Sequence, residues 1–355
     1  MTLSPIHGTC TPLYHEISPD RTNMDAPSIK DLVQLPHVWD RLERTEARLL
    51  EASQSDDPFL TKIAQHLLSA GGKRFRPLLS QIAAEFGPAD DDRSIEAGVS
   101  VELIHVGSLY HDDVIDEAVT RRGTESVNAN WTNTIAILAG DFLMARASEV
   151  AATSLGQEGV RLLARTYAEL VEGQTLELQL DHDLAHGPDE YFRVIGGKTA
   201  SLIRTSARLG AMAADADAGV VEAISDWAWE LGNVFQIADD ALDLVATEDF
   251  LGKPAGSDIR EGKLTLPVLY ALRGKDGDRI RDLLATRPYS DEAVDEVIAI
   301  VRNGGYVDES LEEAARRISL AGEATARLPD VPARAVLGNL AAFLVTQVDA
   351  ARGAA

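Results

Sequence analysis

Apolar residues recur at helical spacing along most of the chain, and turn-forming residues punctuate them. From Val38 one stripe runs through Leu42, Leu49 and Leu50. Asp57-Pro58 has the form of an N-cap followed by proline at the first helical position. The next apolar face, Leu60, Ile63, Ala64, Leu67 and Leu68, stops at Gly71-Gly72, and Pro77 is expected to open another helix. A loop from Pro88 to Arg93 precedes a helical run that begins near Ser94. Further helices are expected from about Thr134 to Ala152, from about Gly159 to Leu180 and from Pro188 onward. Leu251 to Thr265 is too rich in glycine and proline for a helix and reads as a long loop. Leu266 to about Ala351 reads as three or four helices. No stretch alternates like a strand and no composition break marks a second domain, so residues 28–355 are expected to form one all-α domain. Residues 1–27 mix Pro, Thr, Ser and His without period and are expected to be disordered, with Met24 a candidate start.

Composition agrees with the helical pattern. Of 355 residues, 45% are hydrophobic, enough for a packed core, and only 5% are aromatic. The net charge of −24 argues against a nucleic-acid partner, which needs a basic footprint. The single cysteine, Cys10, excludes an internal disulfide framework. No apolar run reaches the roughly 18 residues of a membrane span, and the N-terminus lacks the pattern of a secretory signal, so a cytoplasmic protein is expected.

Two acidic sets carry the candidate chemistry. Asp112, Asp113 and Asp116 close an otherwise apolar helical run. At about 100° per residue Asp112 and Asp116 share a face one turn apart, where they repel unless a cation lies between them. Mg²⁺ suits such a pair, because it takes one or two carboxylates and fills its shell with water and phosphate oxygens. Alone, the set reads equally as a solvated helix end. Asp239, Asp240 and Asp243 repeat the spacing more than a hundred residues later, which suggests two helices facing one another across a site for cations and a charged phosphate ligand.

Basic residues supply the complement. Gly71-Gly72-Lys73-Arg74-Phe75-Arg76-Pro77 is a tight cationic cluster in an acidic chain, either an exposed helix junction or a phosphate site. Gly196-Gly197-Lys198-Thr199 is not a nucleotide-binding loop, since Tyr191 and Phe192 stand where the upstream glycine is required. Lys198 lies in a small, apolar stretch and must either reach outward or meet an anion. Lys253, Arg260 and Lys263 sit on the long loop, which has the character of a lid.

From about residue 40 to 350 the chain resembles the trans-isoprenyl diphosphate synthases, especially their long-chain polyprenyl members. The matches are Gly71 to Pro77, Asp112-Asp113 with Asp116 followed by Arg121-Arg122-Gly123, Lys198-Thr199, Phe235-Gln236 with Asp239-Asp240 and Asp243, and Gly252-Lys253-Pro254. The resemblance implies a helical bundle around a deep central cavity. It implies that Lys73, Arg76, His105 and Arg122 bind the diphosphate of isopentenyl diphosphate. Asp112, Asp116, Asp239 and Asp243 would hold Mg²⁺, three ions with substrate bound, on the allylic diphosphate. Asp113 and Asp240 complete the acidic sets, and Arg121, Lys198, Lys253 and Lys263 would neutralise that diphosphate. Thr199 and Gln236 would line the place where the allylic cation forms. A homodimer, peripheral membrane contact for product release and a role in quinone side-chain synthesis are further family expectations.

Product length is expected to follow from Gly107 and Ser108, one turn before Asp112. Short-chain members cap the pocket with bulky aromatics there, and glycine inside a helix costs about 0.5–1 kcal/mol relative to alanine, which suggests that space is needed. Close helix packing explains Gly107 equally simply. The alternatives are a geranylgeranyl diphosphate synthase, a terpene cyclase, a non-autonomous subunit of a heteromeric synthase, or a plain cation-binding helical protein. A cyclase does not need the Gly71 to Pro77 segment, and a silent subunit usually loses its acidic sets. Ser108→Phe is expected to shorten the product, read by sizing the prenyl chains; an unchanged distribution would place the wall elsewhere.

Overall fold

The computed structural model describes residues 28–88, 91–246 and 255–354. The expectations for residues 1–27 and for Lys253 fall outside them. Two long helices organise the rest: α6, Asp91–Ile115, and α12, Ala218–Val245. Both are buried over most of their circumference, which is why their sequences lack a polar face, and each carries an acidic set at its C-terminal end.

Around them the N-terminal helices α1 (Ile29–Leu32), α2 (Pro36–Ala52), α3 (Pro58–Ala64), α4 (His66–Ser69) and α5 (Phe75–Ala84) pack on one side. After a short hairpin and α7 (Val127–Asn130), α8 (Asn133–Ser154) lies along α6, and α9 (Gly156–Leu180) follows. Helix α10 (Pro188–Ile195) runs through a π-helical turn, Gly196–Ala200, into α11 (Ser201–Ala213), which packs between α5 and α12. Helices α13 (Ser257–Glu261), α14 (Leu266–Arg273), α15 (Gly277–Leu283), α16 (Asp291–Asn303), α17 (Tyr306–Thr325) and α18 (Pro332–Ala354) complete the bundle. Trp227 on α12 is 1% exposed, and its indole N–H donates to the Leu337 carbonyl of α18 at 3.1 Å, tying the C-terminal helix to the centre.

The helical class and most boundaries agree with the sequence pattern, and Asp57 does cap α3, accepting from the Phe59 amide at 2.8 Å. Five details differ. Pro77 is the third residue of α5, because Arg74 in a left-handed conformation (φ 45°) starts the helix two residues earlier. Asp91 rather than Ser94 begins α6. The expected loop holds the short helix α13, and five helices follow Leu266 in place of three or four. Thr120–Arg121 and Thr124–Glu125 pair as two-residue strands about a turn with positive φ at Arg122 and Gly123, too short to show as alternation.

Backbone approaches set the geometry. A Cβ at Gly173 of α9 would lie 2.6 Å from the Lys198 amide, and one at Gly197 would lie 2.7 Å from the Glu169 carbonyl. These glycines let α9 cross the π turn at backbone contact, and such turns often mark functional sites. Gly210 of α11 rests on α5, where a Cβ would be 2.1 Å from the Ser80 carbonyl. Gly210→Ala should therefore destabilise the protein by about 1–3 kcal/mol, seen as a lower midpoint in thermal or urea unfolding; an unchanged midpoint would mean that the α5 and α11 contact yields easily.

Candidate active site

Helix α6 and the hairpin build a buried cationic pocket. Arg74 does not point outward with its neighbours. Its guanidinium is 5% exposed and pairs with Glu46, donates to Glu102 at 3.1 Å, and reaches the Leu68 and Gly71 carbonyls at 2.7 and 3.2 Å. Arg122 donates to the carbonyls of Leu67 at 3.0 Å and Gly71 at 2.7 Å, and lies 3.7 Å from Glu102. Gly72 makes this possible, since a Cβ there would sit 2.9 Å from the Arg122 guanidinium carbon. Arg76 is pushed down to about 10 by burial, with Glu102 opposing and Arg122 adding to the shift, and its Nε is buried without a partner. Burial, then Arg76, Arg122, Arg74 and Arg121, hold His105 well below the usual imidazole range, so it is neutral. Lys73 stands exposed at the rim.

Clustered guanidiniums around a neutral imidazole suit an oxyanion with several acceptor oxygens. Glu102, 1% exposed, is the carboxylate that lets them coexist, and the sequence reading missed it. The available signal was a single charge inside the apolar run of α6.

The acidic sets divide into outer and inner carboxylates. Asp112 is pushed up to about 6 by burial; Lys198 works against the shift, and Asp116 and Glu177 add to it. Asp113 is fully buried and turned away, accepting from Arg121 Nε at 2.7 Å, with its other oxygen buried and unpartnered. On α12, Asp240 is 3% exposed and accepts from the Tyr191 hydroxyl at 2.6 Å and Gln236 Nε2 at 2.8 Å. Thr199 Oγ1 donates to Gln236 Oε1 at 2.8 Å, so Thr199, Gln236, Asp240 and Tyr191 form one hydrogen-bonded chain. Asp243 accepts from the Ser257 hydroxyl at 2.7 Å and the Asp258 amide at 3.3 Å, which fastens α13 to the end of α12.

A cavity of about 450 Å³ gathers Asp116, Arg121, Lys198, Thr199, Gln236, Asp239, Asp240 and Lys263. Glu177, Asp181, Tyr191 and Asp258 also line it and were not foreseen. Asp112, Asp113, Asp243 and the cationic pocket lie outside its wall, though Asp112 feels the charges of Lys198 and Glu177. A larger open groove of about 860 Å³ elsewhere is lined by paired Arg and Glu residues such as Arg204 with Glu169, and holds neither acidic set. Ser108 is 6% exposed and donates back to the His105 carbonyl at 2.8 Å. A Cβ at Gly107 would be 3.0 Å from Met144 Cε and 3.1 Å from the Gly140 carbonyl, so the packing of α6 on α8 accounts for that glycine.

The donor chemistry fits Mg²⁺. Among the described residues no three carboxylates or imidazoles converge into an all-protein cage. Each acidic set instead offers outer carboxylates, Asp112 with Asp116 and Asp239 across the cavity, and Asp112 carries a charge that burial leaves poorly compensated. That suits a hard cation that completes its shell with water and diphosphate oxygens.

A helical bundle with carboxylates at the ends of two central helices, and lysines and arginines facing them, defines a prenyltransferase of the diphosphate-handling class. The polyprenyl synthetase family model matches residues 57–301, and the chain belongs to that family. The nonaprenyl diphosphate synthase of Mycobacterium tuberculosis is 41% identical over 87% of this chain and 91% of its own length. The polyprenyl synthase of Caulobacter crescentus, solved with calcium and isoprenyl diphosphate, superposes with a TM-score of 0.83 at 34% identity, covering 91% of this chain and 99% of that one. The geranylgeranyl pyrophosphate synthase of Corynebacterium glutamicum, also solved with calcium and isoprenyl diphosphate, gives 0.79 at 39% identity over 88% and 96%.

The raised Asp112 carboxyl predicts a pH-dependent metal response. Between its ordinary 3.8 and about 6 the folded chain binds more protons than the unfolded one, so this group favours the fold at low pH and opposes it as pH rises through that window. MgCl₂ should raise the melting temperature at pH 7.5 and much less at pH 5. Asp112→Asn should raise the metal-free melting temperature at pH 7.5 and remove most of the Mg²⁺ effect. Equal Mg²⁺ responses at both pH values would contradict this assignment.

Proposed function

We propose that this chain is a Mg²⁺-dependent trans-polyprenyl diphosphate synthase that adds isopentenyl diphosphate repeatedly to a farnesyl or geranylgeranyl diphosphate primer. One observation carries the reading: the cavity brings the ends of α6 and α12 together with Lys198 and Lys263, beside a separate buried arginine pocket. Two anionic sites of different character fit a reaction between two diphosphates, and neither a cyclase nor a plain cation-binding protein needs both.

In this reading Lys73, Arg76, His105 and Arg122 bind isopentenyl diphosphate, and Glu102 holds the arginines together. Asp112, Asp116, Asp239 and Asp243 would hold Mg²⁺, three ions when substrate is bound. Bound Mg²⁺ would neutralise the leaving diphosphate as the allylic carbon–oxygen bond breaks. Lys198, Lys263, Lys253 and Arg121 add fixed positive charge there. The hydrogen-bonded Thr199 and Gln236 present oxygen dipoles near the allylic carbon. The isopentenyl double bond attacks that carbon, and the released diphosphate takes the proton that restores the alkene. The chain grows by one five-carbon unit.

A long-chain product is supported by the nonaprenyl relative and by the small Ser108. Gly107 no longer adds weight. The Corynebacterium structure keeps geranylgeranyl diphosphate as the second reading. Residues 28–355 would act as one synthase domain. The exposed Ile137 and Leu138 of α8 and Val171 and Leu178 of α9 support a homodimer. No described helix is long and apolar enough to cross a membrane. The family resemblance supports a cytoplasmic enzyme that touches the membrane to release a polyprenyl diphosphate destined for a quinone side chain.

The purified chain with Mg²⁺, farnesyl diphosphate and labelled isopentenyl diphosphate should yield products longer than geranylgeranyl diphosphate. Asp239→Ala should lower kcat by on the order of 10²–10³ with the fold intact. Absence of elongation by the isolated chain would remove the autonomous-enzyme reading, and full activity in the variant would remove the two-set mechanism.

A further inference from the structure

Glu177 belongs to neither acidic set, yet it lines the same cavity as Lys198 and Lys263 and holds the first of them. Lys198 Nζ pairs with the Glu177 carboxylate, and Gln174 Nε2 donates to the same oxygen at 3.2 Å. Lys263 bonds to Glu261 at 2.9 Å and lies 3.5 Å from Asp116. Burial works against its charge, and the nearby carboxylates together, Glu177 with Glu261 and Asp116, more than offset this. One turn further along, Asp181 is pushed up by burial and by Glu177, and its Oδ1 is buried without a partner. The α9 wall of the cavity thus carries two carboxylates, and Glu177 is the one that Lys198 neutralises.

The function proposed above makes those lysines ligands of the allylic diphosphate, and the present inference rests on that reading. A diphosphate outbids one carboxylate for an ammonium group because it carries more charge and more acceptor oxygens. Each condensation then leaves a pyrophosphate that must depart before the next cycle. A carboxylate waiting beside the same lysines stabilises the emptied site and weakens the hold on the departing anion by the same free energy. We propose that Glu177 is a positioning residue that competes internally for Lys198, storing it in the empty cavity and easing pyrophosphate release between condensations.

The test compares wild type, Glu177→Gln and Glu177→Asp by calorimetric titration with pyrophosphate and Mg²⁺, and by pyrophosphate inhibition of elongation. Glu177→Gln should lower both the Kd and the inhibition constant about three- to ten-fold, the scale of one or two partly exposed ion pairs. Glu177→Asp should return both toward wild type. In a Lys198→Met background the Gln substitution should lose much of its effect, a coupling that a purely structural role would not produce. Unchanged or weaker pyrophosphate binding in Glu177→Gln overturns the proposal and leaves the synthase reading standing. An effect that persists in full without Lys198 also overturns it. A wild-type chain that neither binds Mg²⁺-pyrophosphate nor elongates overturns both.

Discussion

The structure depends on an electrostatic constraint: carboxylates are concentrated at the C-terminal ends of two buried helices, where the helix dipole is already negative. Neither α6 nor α12 gains stability from Asp112, Asp116, Asp239 or Asp243 placed there. Each end is held by groups from other segments. Arg121 from the hairpin takes Asp113, Tyr191 from α10 takes Asp240, and Ser257 with the Asp258 amide takes Asp243. One carboxylate of the first set and two of the second are therefore engaged in fastening their helix ends. Others remain toward the cavity, where a cation and a polyanion can meet them.

The cationic pocket is the mirror image of this arrangement. Arginines buried together would repel, and Arg74 with Glu46 and Glu102 converts that repulsion into a framework. Arg74 is satisfied on every side and stays put, while Arg122 stands 3.7 Å from Glu102 and Arg76 keeps a buried Nε without a partner. Breaking a buried charge pair on one side costs several kcal/mol, about 3–5 by general experience, which makes Glu102 as much a part of the fold as of the site.

What could be read from the sequence was what local spacing determines. Helical class, the i and i+4 carboxylates and the order of motifs follow from the chain alone. Which carboxylate of each set turns inward does not, because Arg121 must fold back from the hairpin and Tyr191 arrives from α10. Glu102 and Glu177 escaped notice because each is one acidic residue on a helix, and only the tertiary structure shows that the first is buried among arginines and the second pairs with Lys198. Arg74 looked like its neighbours until its left-handed backbone turned it inward. The sequence alone excludes the glycines at 196 and 197 as a nucleotide-binding loop, but only the structure shows that Gly197 serves the crossing of α9 over the π turn.

That same logic relocates the question of product length. Gly107 and Gly140 bring α6 and α8 to backbone contact, since a Cβ at Gly140 would be 3.0 Å from the Gly107 carbonyl. Two helices touching at their backbones cannot spread to admit a longer chain without losing the contact on both. Room for the product must therefore come from side chains and not from helix movement. Under the proposed function Ser108 would be one such side chain, and Met144, whose flexible end rests against Gly107, another. A thioether that can change rotamer accommodates a growing hydrocarbon with little loss of packing, while the backbones on either side hold the acidic sets in register.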